Sequence, residues 1–117
     1  MYRMTILYGT PTDPEHFRRY YYDTHIPIAQ KMQGLTGWNL SWVDHDPQSP
    51  SPCFLIAELY AADRAAMDAI LASPEGRAAS ADLANFVTGT VEFLPGAEEQ
   101  VELGDAVVDT VDTGAQA

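Results

Sequence analysis

Residues 20–35 read YYYDTHIPIAQKMQGL, and this stretch carries the clearest local signals in the 117-residue chain. Pro27 has no backbone N–H, and its ring would clash with the carbonyl of Asp23 in a regular helix. Ile26 precedes the proline and is therefore disfavoured in helical geometry. We expect one helix to end near Asp23 or Thr24 and a second short helix to start at Pro27, where a proline is tolerated.

His25 falls in this expected break, where its imidazole is freed from a regular helical face and can point into a pocket. A neutral imidazole near its reference pKa can both take and give a proton, so His25 is the candidate acid/base residue. The alternative is a structural histidine that caps the first helix or pairs with Asp23.

The rest of the chain shows strand and helix signals on either side of this stretch. Alternating or apolar runs predict four strands, at residues 2–8, 37–42, 54–60 and 87–94. Capping residues predict helix starts at Asp13-Pro14, Asp63 and Ser73-Pro74. The resulting order is β-α-β-β-α-β, which is typical of an α+β, ferredoxin-like fold with a four-stranded antiparallel sheet.

Apolar residues occur on both sides of the predicted strands, as at Leu7 and Tyr8 or Ile56 and Leu55. A sheet with one face in water alternates more cleanly than this. We therefore expect the face without helices to be covered, most simply by a second copy of the chain in a homodimer.

The composition indicates one domain and restricts its partners. The chain carries 17 acidic and 6 basic residues, a net charge of −11, which argues against nucleic acid and anionic membranes. No apolar run is long enough to span a membrane. Cys53 is the single cysteine, and no signal segment is visible at the start, so we expect a cytoplasmic protein.

The acidic residues are concentrated near the C-terminus. Residues 96–117 carry six acids and no base, so we divide the chain into a folded domain at 1–95 and an acidic tail at 96–117. The tail is either a solubilising arm or a segment that contacts the domain or a partner through Val101, Leu103, Val107 and Val111.

Several aromatic residues could line a pocket for a small apolar or aromatic molecule. Three successive tyrosines point in different directions on a helix, so at most two face one cavity. Glu58 is either a pocket carboxylate or an exposed strand residue, and Asn85 either caps a helix or binds a ligand. The candidate substrate-binding residues are Tyr8, Phe17, Tyr21, Trp38 and Glu58.

Motifs for other chemistries are missing from the sequence. The three histidines lack the i, i+4 spacing of a helical metal site, so we expect no metal. We expect no cofactor either, because Gly34-Leu35-Thr36-Gly37 lacks the lysine and following helix of a phosphate-binding loop.

Three segments of the chain resemble the EthD-like family of the dimeric α+β barrel superfamily. They are YGTPTDPEHFRRYYYDTHIPIAQKMQGL at 8–35, FLIAELY at 54–60 and LASPEGRAASADLANFVTGTVEFLPG at 71–96. The resemblance covers residues 2–95 and implies a ferredoxin-like protomer whose sheet faces that of a partner. The family's motif histidine falls on His25 and its strand–turn tyrosine on Tyr8, whereas Gln33 replaces the usual proline before Gly-Leu.

The resemblance also implies a role in bacterial catabolism of ethers, lactones or aromatics, often beside oxidative enzymes. We expect a cofactor-independent acid/base catalyst, either an isomerase or an oxidoreductase-type enzyme, with His25 at its centre. The alternative is a non-catalytic dimer that holds a hydrophobic metabolite for an oxidative degradation system.

Overall fold

The computed structural model describes residues 1–48 and 51–104, so residues 49–50 of the proline-rich loop and 105–117 of the tail lie outside the described residues. No helix within the described residues has the length and apolarity to cross a membrane. The elements are β1 (Tyr2–Gly9), α1 (Pro14–Tyr20), a π-helical turn (Tyr21–His25), α2 (Ile26–Ala29), β2 (Gly37–Trp42), β3 (Cys53–Ala61), α3 (Arg64–Ala72), α4 (Pro74–Asp82), a 3₁₀ turn (Leu83–Asn85) and β4 (Val91–Ala97).

The four strands form one antiparallel sheet in the order β2-β3-β1-β4. The central strands β1 and β3 lie side by side, and each has one outer neighbour. This arrangement confirms the predicted α+β, ferredoxin-like fold with its β-α-β-β-α-β order.

The predicted helix starts are confirmed by their capping hydrogen bonds. The Asp13 side chain accepts from the N–H of His16 at 3.1 Å, and Asp63 accepts from the N–H of Ala66 at 2.8 Å. Ser73 accepts from the N–H of Gly76 at 3.1 Å, so the crossover contains two helices, as expected.

One face of the sheet packs against the helices and forms the core. Alternate residues of β3 are fully buried on this face, and Ala57 lies opposite Ile6 of β1. Two apolar clusters result, one around Met67 and Ile70 of α3 and one around Phe17 of α1. These clusters fix the helical layer above the sheet.

The opposite face is mixed in character rather than apolar throughout. Leu7 and Ile56 are directly opposite each other, and Leu94 is 46% exposed on the neighbouring edge strand. Arg3 and Glu58 form an ion pair on the same face, with 3.4 Å between Nη1 and Oε2. The expected apolar patch is therefore present, but it is bordered by a charged pair.

The prediction that Pro27 breaks the helix is wrong. Ile26 has φ −58° and ψ −48°, which is helical, and the chain passes through Tyr21–His25 as a π-helical turn. The N–H of Ile26 bonds to the carbonyl of Tyr21, five residues back, in place of the usual four. This wider turn accommodates the missing N–H and the ring of Pro27 without ending the helix.

The predicted limits of the last strand are also wrong. β4 runs from Val91 to Ala97 rather than from Val87 to Leu94. It passes through Pro95, which lies opposite Met4, because β4 is an edge strand and one side of an edge strand needs no N–H donor. The N–H of Glu98 then donates to the carbonyl of Met1 at 2.9 Å.

Candidate active site

The π-helical turn places a phenol and an imidazole on the inner side of the helical layer. Tyr21 is 1% exposed and His25 is 5% exposed, and their ring centroids lie 5.2 Å apart. Such turns are frequent at functional sites, because the extra residue changes the direction of the side chains. Tyr22, in contrast, is 45% exposed.

Asp82, the last residue of α4, is a buried acid held by three side chains. Its Oδ1 accepts from the hydroxyl of Tyr20 at 2.7 Å and from Nδ2 of Asn85 at 2.9 Å, and its Oδ2 lies 2.9 Å from Nδ1 of His25. Burial raises the pKa of Asp82, but these hydrogen bonds outweigh burial and hold the pKa below its ordinary value of 3.8. The carboxylate is therefore ionised at neutral pH.

This ionised carboxylate fixes the tautomer of His25. A carboxylate only accepts hydrogen bonds, so Nδ1 of His25 carries the proton and Nε2 is the nitrogen left for other partners. Burial lowers the pKa of His25 below 6.5, although Asp82 acts in the opposite direction. The expected alternative partner, Asp23, is exposed and does not take part.

A cavity of about 280 Å³ lies between the sheet and the helices, with His25 on its wall. The exposed lining residues Ser80 and Phe93 mark its mouth, between α4 and the edge strand β4. Most of the wall is apolar and is formed by Met4, Ile6, Ala29, Met32, Ala57, Leu59, Leu71, Gly76, Ala79 and Leu83. The cavity therefore suits a small apolar molecule.

The polar side chains inside the cavity, besides His25, are those of Tyr8, Tyr21 and Trp38. Burial raises the pKa of both phenols, so both remain protonated. Trp38 and Tyr8 lie near the Tyr21 hydroxyl and oppose that rise in the pKa of Tyr21. Within the described residues, Nε1 of Trp38 has no hydrogen-bond partner.

The structure brings His25, Tyr8, Tyr21 and Trp38 together at one cavity, as the sequence-based hypothesis required. Phe17 does not line this cavity; it packs behind it, with its ring centroid 5.5 Å from that of Tyr8. Glu58 lies on the opposite face of the sheet, paired with Arg3, because its strand alternates and Ala57 and Leu59 take the inner positions. Both residues are therefore outside the candidate site.

Asp82 was not among the residues predicted from the sequence, and the role of Asn85 stayed open there. Asp82 is 57 residues from His25 and resembles any acid near a helix end, so no local pattern marks it. Asn85 holds Asp82 rather than facing the cavity. No group of three or more His, Cys, Asp or Glu side chains that could hold a metal occurs in the part of the chain that the structure describes.

Comparison with known proteins places this arrangement among its relatives. A profile of the EthD domain matches residues 9–90. A Rhodococcus erythropolis protein, named as an uncharacterized 11.0 kDa protein in the thcB-thcC intergenic region, is 37% identical over 101 residues, which cover 86% of this chain and 98% of that protein.

Two solved structures are also similar to this chain. An ethyl tert-butyl ether D (EthD) family protein from Bacillus halodurans has a TM-score of 0.79 and 26% identity, covering 85% of this chain and 99% of that chain. SnoaB from Streptomyces nogalater, a cofactor-independent oxygenase, has a TM-score of 0.61 and 15% identity, covering 86% and 94%, which shows a shared fold.

The sheet, the helical layer and the buried cavity between them define a ferredoxin-like α+β protein. The profile match and the Rhodococcus relative then identify the family: the chain belongs to the EthD domain family.

Proposed function

We propose that this protein is a cofactor-independent acid/base catalyst that acts on a small apolar or aromatic compound inside its cavity. The observation that carries the proposal is that His25 lies on the wall of an apolar cavity and is held there by the buried carboxylate of Asp82. A base with a free lone pair, held in one orientation in a mostly apolar pocket, is suited to removing a proton from a bound organic molecule.

Each member of the pair has a distinct role in this proposal. His25 is neutral at pH 7, so its Nε2 accepts a proton from the substrate. Asp82 does not touch the cavity; it is a positioning residue that holds the ring through Nδ1 and stabilises the imidazolium that forms. Tyr20 and Asn85 keep the carboxylate in place.

The size of the cavity limits the substrate. An engineered apolar cavity of about 150 Å³ accommodates benzene, and the cavity here measures about 280 Å³. We therefore expect a compound with one or two rings, or an aliphatic molecule of similar bulk. Removal of a proton from such a compound is the first step of an isomerisation, and it also prepares a carbon acid for oxidation, as in an oxidative degradation system.

We also propose that two copies of the chain associate through the sheet face that lacks helices. Leu7 and Ile56 form an apolar patch at the centre of that face, and on the edge strand Leu94 lies diagonally to Leu7, next to the Glu92 that faces Leu7. Covering such a patch is favourable, and a second copy presents the same patch. The cavity lies on the other side of the sheet in each protomer.

The proposal is tested with His25→Gln, which keeps hydrogen-bonding capacity but cannot shuttle a proton near neutrality. Hydrogen–deuterium exchange at carbon, followed by NMR in D₂O over a panel of small ketones and lactones, measures proton removal. We expect wild-type protein to accelerate exchange for at least one compound, and His25→Gln to lose that acceleration by about 100-fold or more.

Asp82→Asn and Asp68→Asn form a matched pair of controls. Asp82→Asn should give a smaller loss than His25→Gln, whereas Asp68 is 68% exposed on α3 and its change should leave the rate unaltered. Wild-type exchange rates in His25→Gln would remove the catalytic role. If wild-type protein bound these compounds but accelerated exchange in none of them, it would instead be a non-catalytic carrier of a hydrophobic metabolite.

A further inference from the structure

The cavity has one polar corner, formed by Tyr8, Tyr21 and Trp38, which is separate from the His25–Asp82 pair. Tyr8 and Tyr21 are each 1% exposed, and their ring centroids lie 5.9 Å apart with an interplanar angle of 80°. Nε1 of Trp38 is buried without a partner of good geometry. A buried donor without an acceptor is costly, so a ligand atom that accepts a hydrogen bond would bind favourably in this corner.

Counting donors shows that one hydroxyl in the corner is always left over. The corner offers three donors, namely the indole N–H of Trp38 and the hydroxyls of Tyr8 and Tyr21. Its only side-chain acceptors are the two phenol oxygens. Two hydroxyls cannot donate to each other at once, so hydrogen bonds among these three side chains leave one O–H for another acceptor.

Tyr21 is the phenol that lies beside His25. The two ring centroids are 5.2 Å apart, and both side chains line the cavity. Nδ1 of His25 is bonded to Asp82, so Nε2 remains for a ligand next to the Tyr21 hydroxyl.

We propose that Tyr21 donates a hydrogen bond to an oxygen of the substrate, and that the substrates are carbonyl compounds with an acidic C–H beside the carbonyl. This inference rests on the proposed function of His25 and narrows it to one chemical class. An apolar ketone, ester or lactone satisfies the corner with its oxygen and fills the rest of the cavity with its hydrocarbon part.

The step is balanced without any further reactant. Nε2 of His25 takes the proton from the carbon next to the carbonyl, and the C–H electron pair becomes the C=C bond of an enolate. The carbonyl π electrons move to the oxygen, which keeps its hydrogen bond from Tyr21. Return of the proton from His25 to the same or another carbon completes exchange or isomerisation.

The protonation states agree with these roles. The raised pKa of Tyr21 keeps the phenol protonated, so it acts as a donor and not as a base. The lowered pKa of His25 keeps the imidazole able to accept a proton at neutral pH. One wall thus presents a donor for oxygen beside an acceptor for a proton.

The test compares two probes with the same skeleton, 2-tetralone, which has a ketone, and tetralin, which has none. Calorimetry gives the ratio of the two dissociation constants for wild-type protein and for two variants. We expect Tyr21→Phe to reduce the preference for the ketone by about three- to tenfold, the effect of one hydrogen bond. Tyr22→Phe is the matched control and should retain the preference, because Tyr22 is 45% exposed and does not line the cavity.

A second measurement needs no variant and so does not depend on the folding of Tyr21→Phe. The C=O stretch of ¹³C-labelled 2-tetralone should shift to lower frequency on binding to wild-type protein, compared with the probe in a hydrocarbon solvent. An unshifted stretch, or an unchanged preference in folded Tyr21→Phe, would overturn the inference.

Failure of this inference can be told apart from failure of the proposed function. Exchange that depends on His25 but not on Tyr21 would leave the acid/base proposal intact and overturn the oxygen site. A ketone preference that depends on Tyr21, without exchange of the C1 protons or of any other carbon acid, would confirm the oxygen site and overturn catalysis.

Discussion

Asp82 bonds to side chains from three helical segments, because Tyr20 ends α1, His25 ends the π-helical turn and Asn85 ends the 3₁₀ turn. A buried carboxylate with three donors is stable as an anion, but it would be costly without them. The same contacts therefore hold the fold together and set the direction of the imidazole.

The pKa shifts of this pair predict how stability changes with pH. The folded-state pKa of His25 is lowered from 6.5, so between the two pKa values the unfolded chain binds more protons than the folded one. Stability should therefore fall as pH decreases below 6.5. Asp82, whose pKa is lowered from 3.8, should add a second loss below that value.

Urea unfolding measured between about pH 5 and pH 8 checks the loss of stability that we attribute to His25. The free energy of unfolding of wild-type protein should decrease toward pH 5, and His25→Gln should show a smaller slope. Equal slopes for the two proteins would mean that the pKa of His25 does not differ between the folded and unfolded states.

At the scale of single residues, the sequence indicated His25 but not its partner Asp82. Pro27 two residues after His25 marked the histidine as unusual, and the aromatic residues around it indicated a pocket. Asp82 could not be predicted, because its role depends on how the end of α4 meets the π-helical turn in space. Glu58 was misplaced for the opposite reason, since an acid in an apolar strand looks functional until its face of the sheet is known.

At the scale of elements, the order of strands and helices could be predicted because it depends on local signals. Asp13 and Asp63 cap their helices as their positions in the sequence suggest. The π-helical turn could not be predicted, because a proline favours either a break or a wider turn, and packing of Tyr21 and His25 decides between them. The end of β4 was placed before Pro95 for a similar reason. A proline is tolerated within this strand because β4 is an edge strand, which the sequence does not show.

The junction of α3 and α4 gives a prediction about an element boundary. A Cβ at Gly76 would lie 2.3 Å from the carbonyl oxygen of Ile70 and 2.6 Å from that of Leu71, and backbone atoms cannot turn aside as a side chain can. Gly76→Ala should therefore destabilise the protein by about 2 kcal/mol or more, measured by urea unfolding.

Gly104→Ala is the matched control, because nothing lies within 4 Å of a Cβ added there. We expect its free energy of unfolding to equal that of the wild type. Wild-type stability in Gly76→Ala would instead mean that the two helices can separate without cost.

At the scale of the whole molecule, the proposed dimer should depend on the apolar patch of the sheet. Ile56→Lys places a charge at its centre and should give a monomer in sedimentation velocity at micromolar concentration. Val101→Lys, at a residue that is 80% exposed, should leave the dimer intact. A wild-type monomer under these conditions would contradict the proposal.

Salt gives a second test of the same association. Each copy carries a net charge of −11, so two copies repel each other. Raising the ionic strength from about 0.05 M to about 0.5 M shortens the screening length and should strengthen the dimer.

The division into a domain at 1–95 and a tail at 96–117 predicts the effect of a truncation. β4 extends to Ala97 and Glu98 bonds to Met1, so a cut after Glu98 spares the sheet. Val101 and Leu103 are 80% and 69% exposed. Deleting residues 99–117 should therefore change the melting temperature by less than about 2 °C and leave the oligomeric state unchanged.

A large drop in the melting temperature, or loss of the dimer, would show that the tail packs against the domain or a partner. Calorimetry and sedimentation of the truncated chain distinguish these results. Val107 and Val111, which the sequence also suggested for such contacts, lie outside the described residues.

The π-helical turn also has a meaning for the gene. Its i, i+5 hydrogen bond encloses one more residue than an α-helical turn, so Tyr21–His25 behaves like a one-codon insertion within an otherwise ordinary helix. Losing one codon there would restore regular bonding and leave the later side chains facing the same way, because the wide turn covers about the same rotation with one residue more. In related genes, a gap of one residue within this stretch would therefore mark copies that kept the fold without the wide turn.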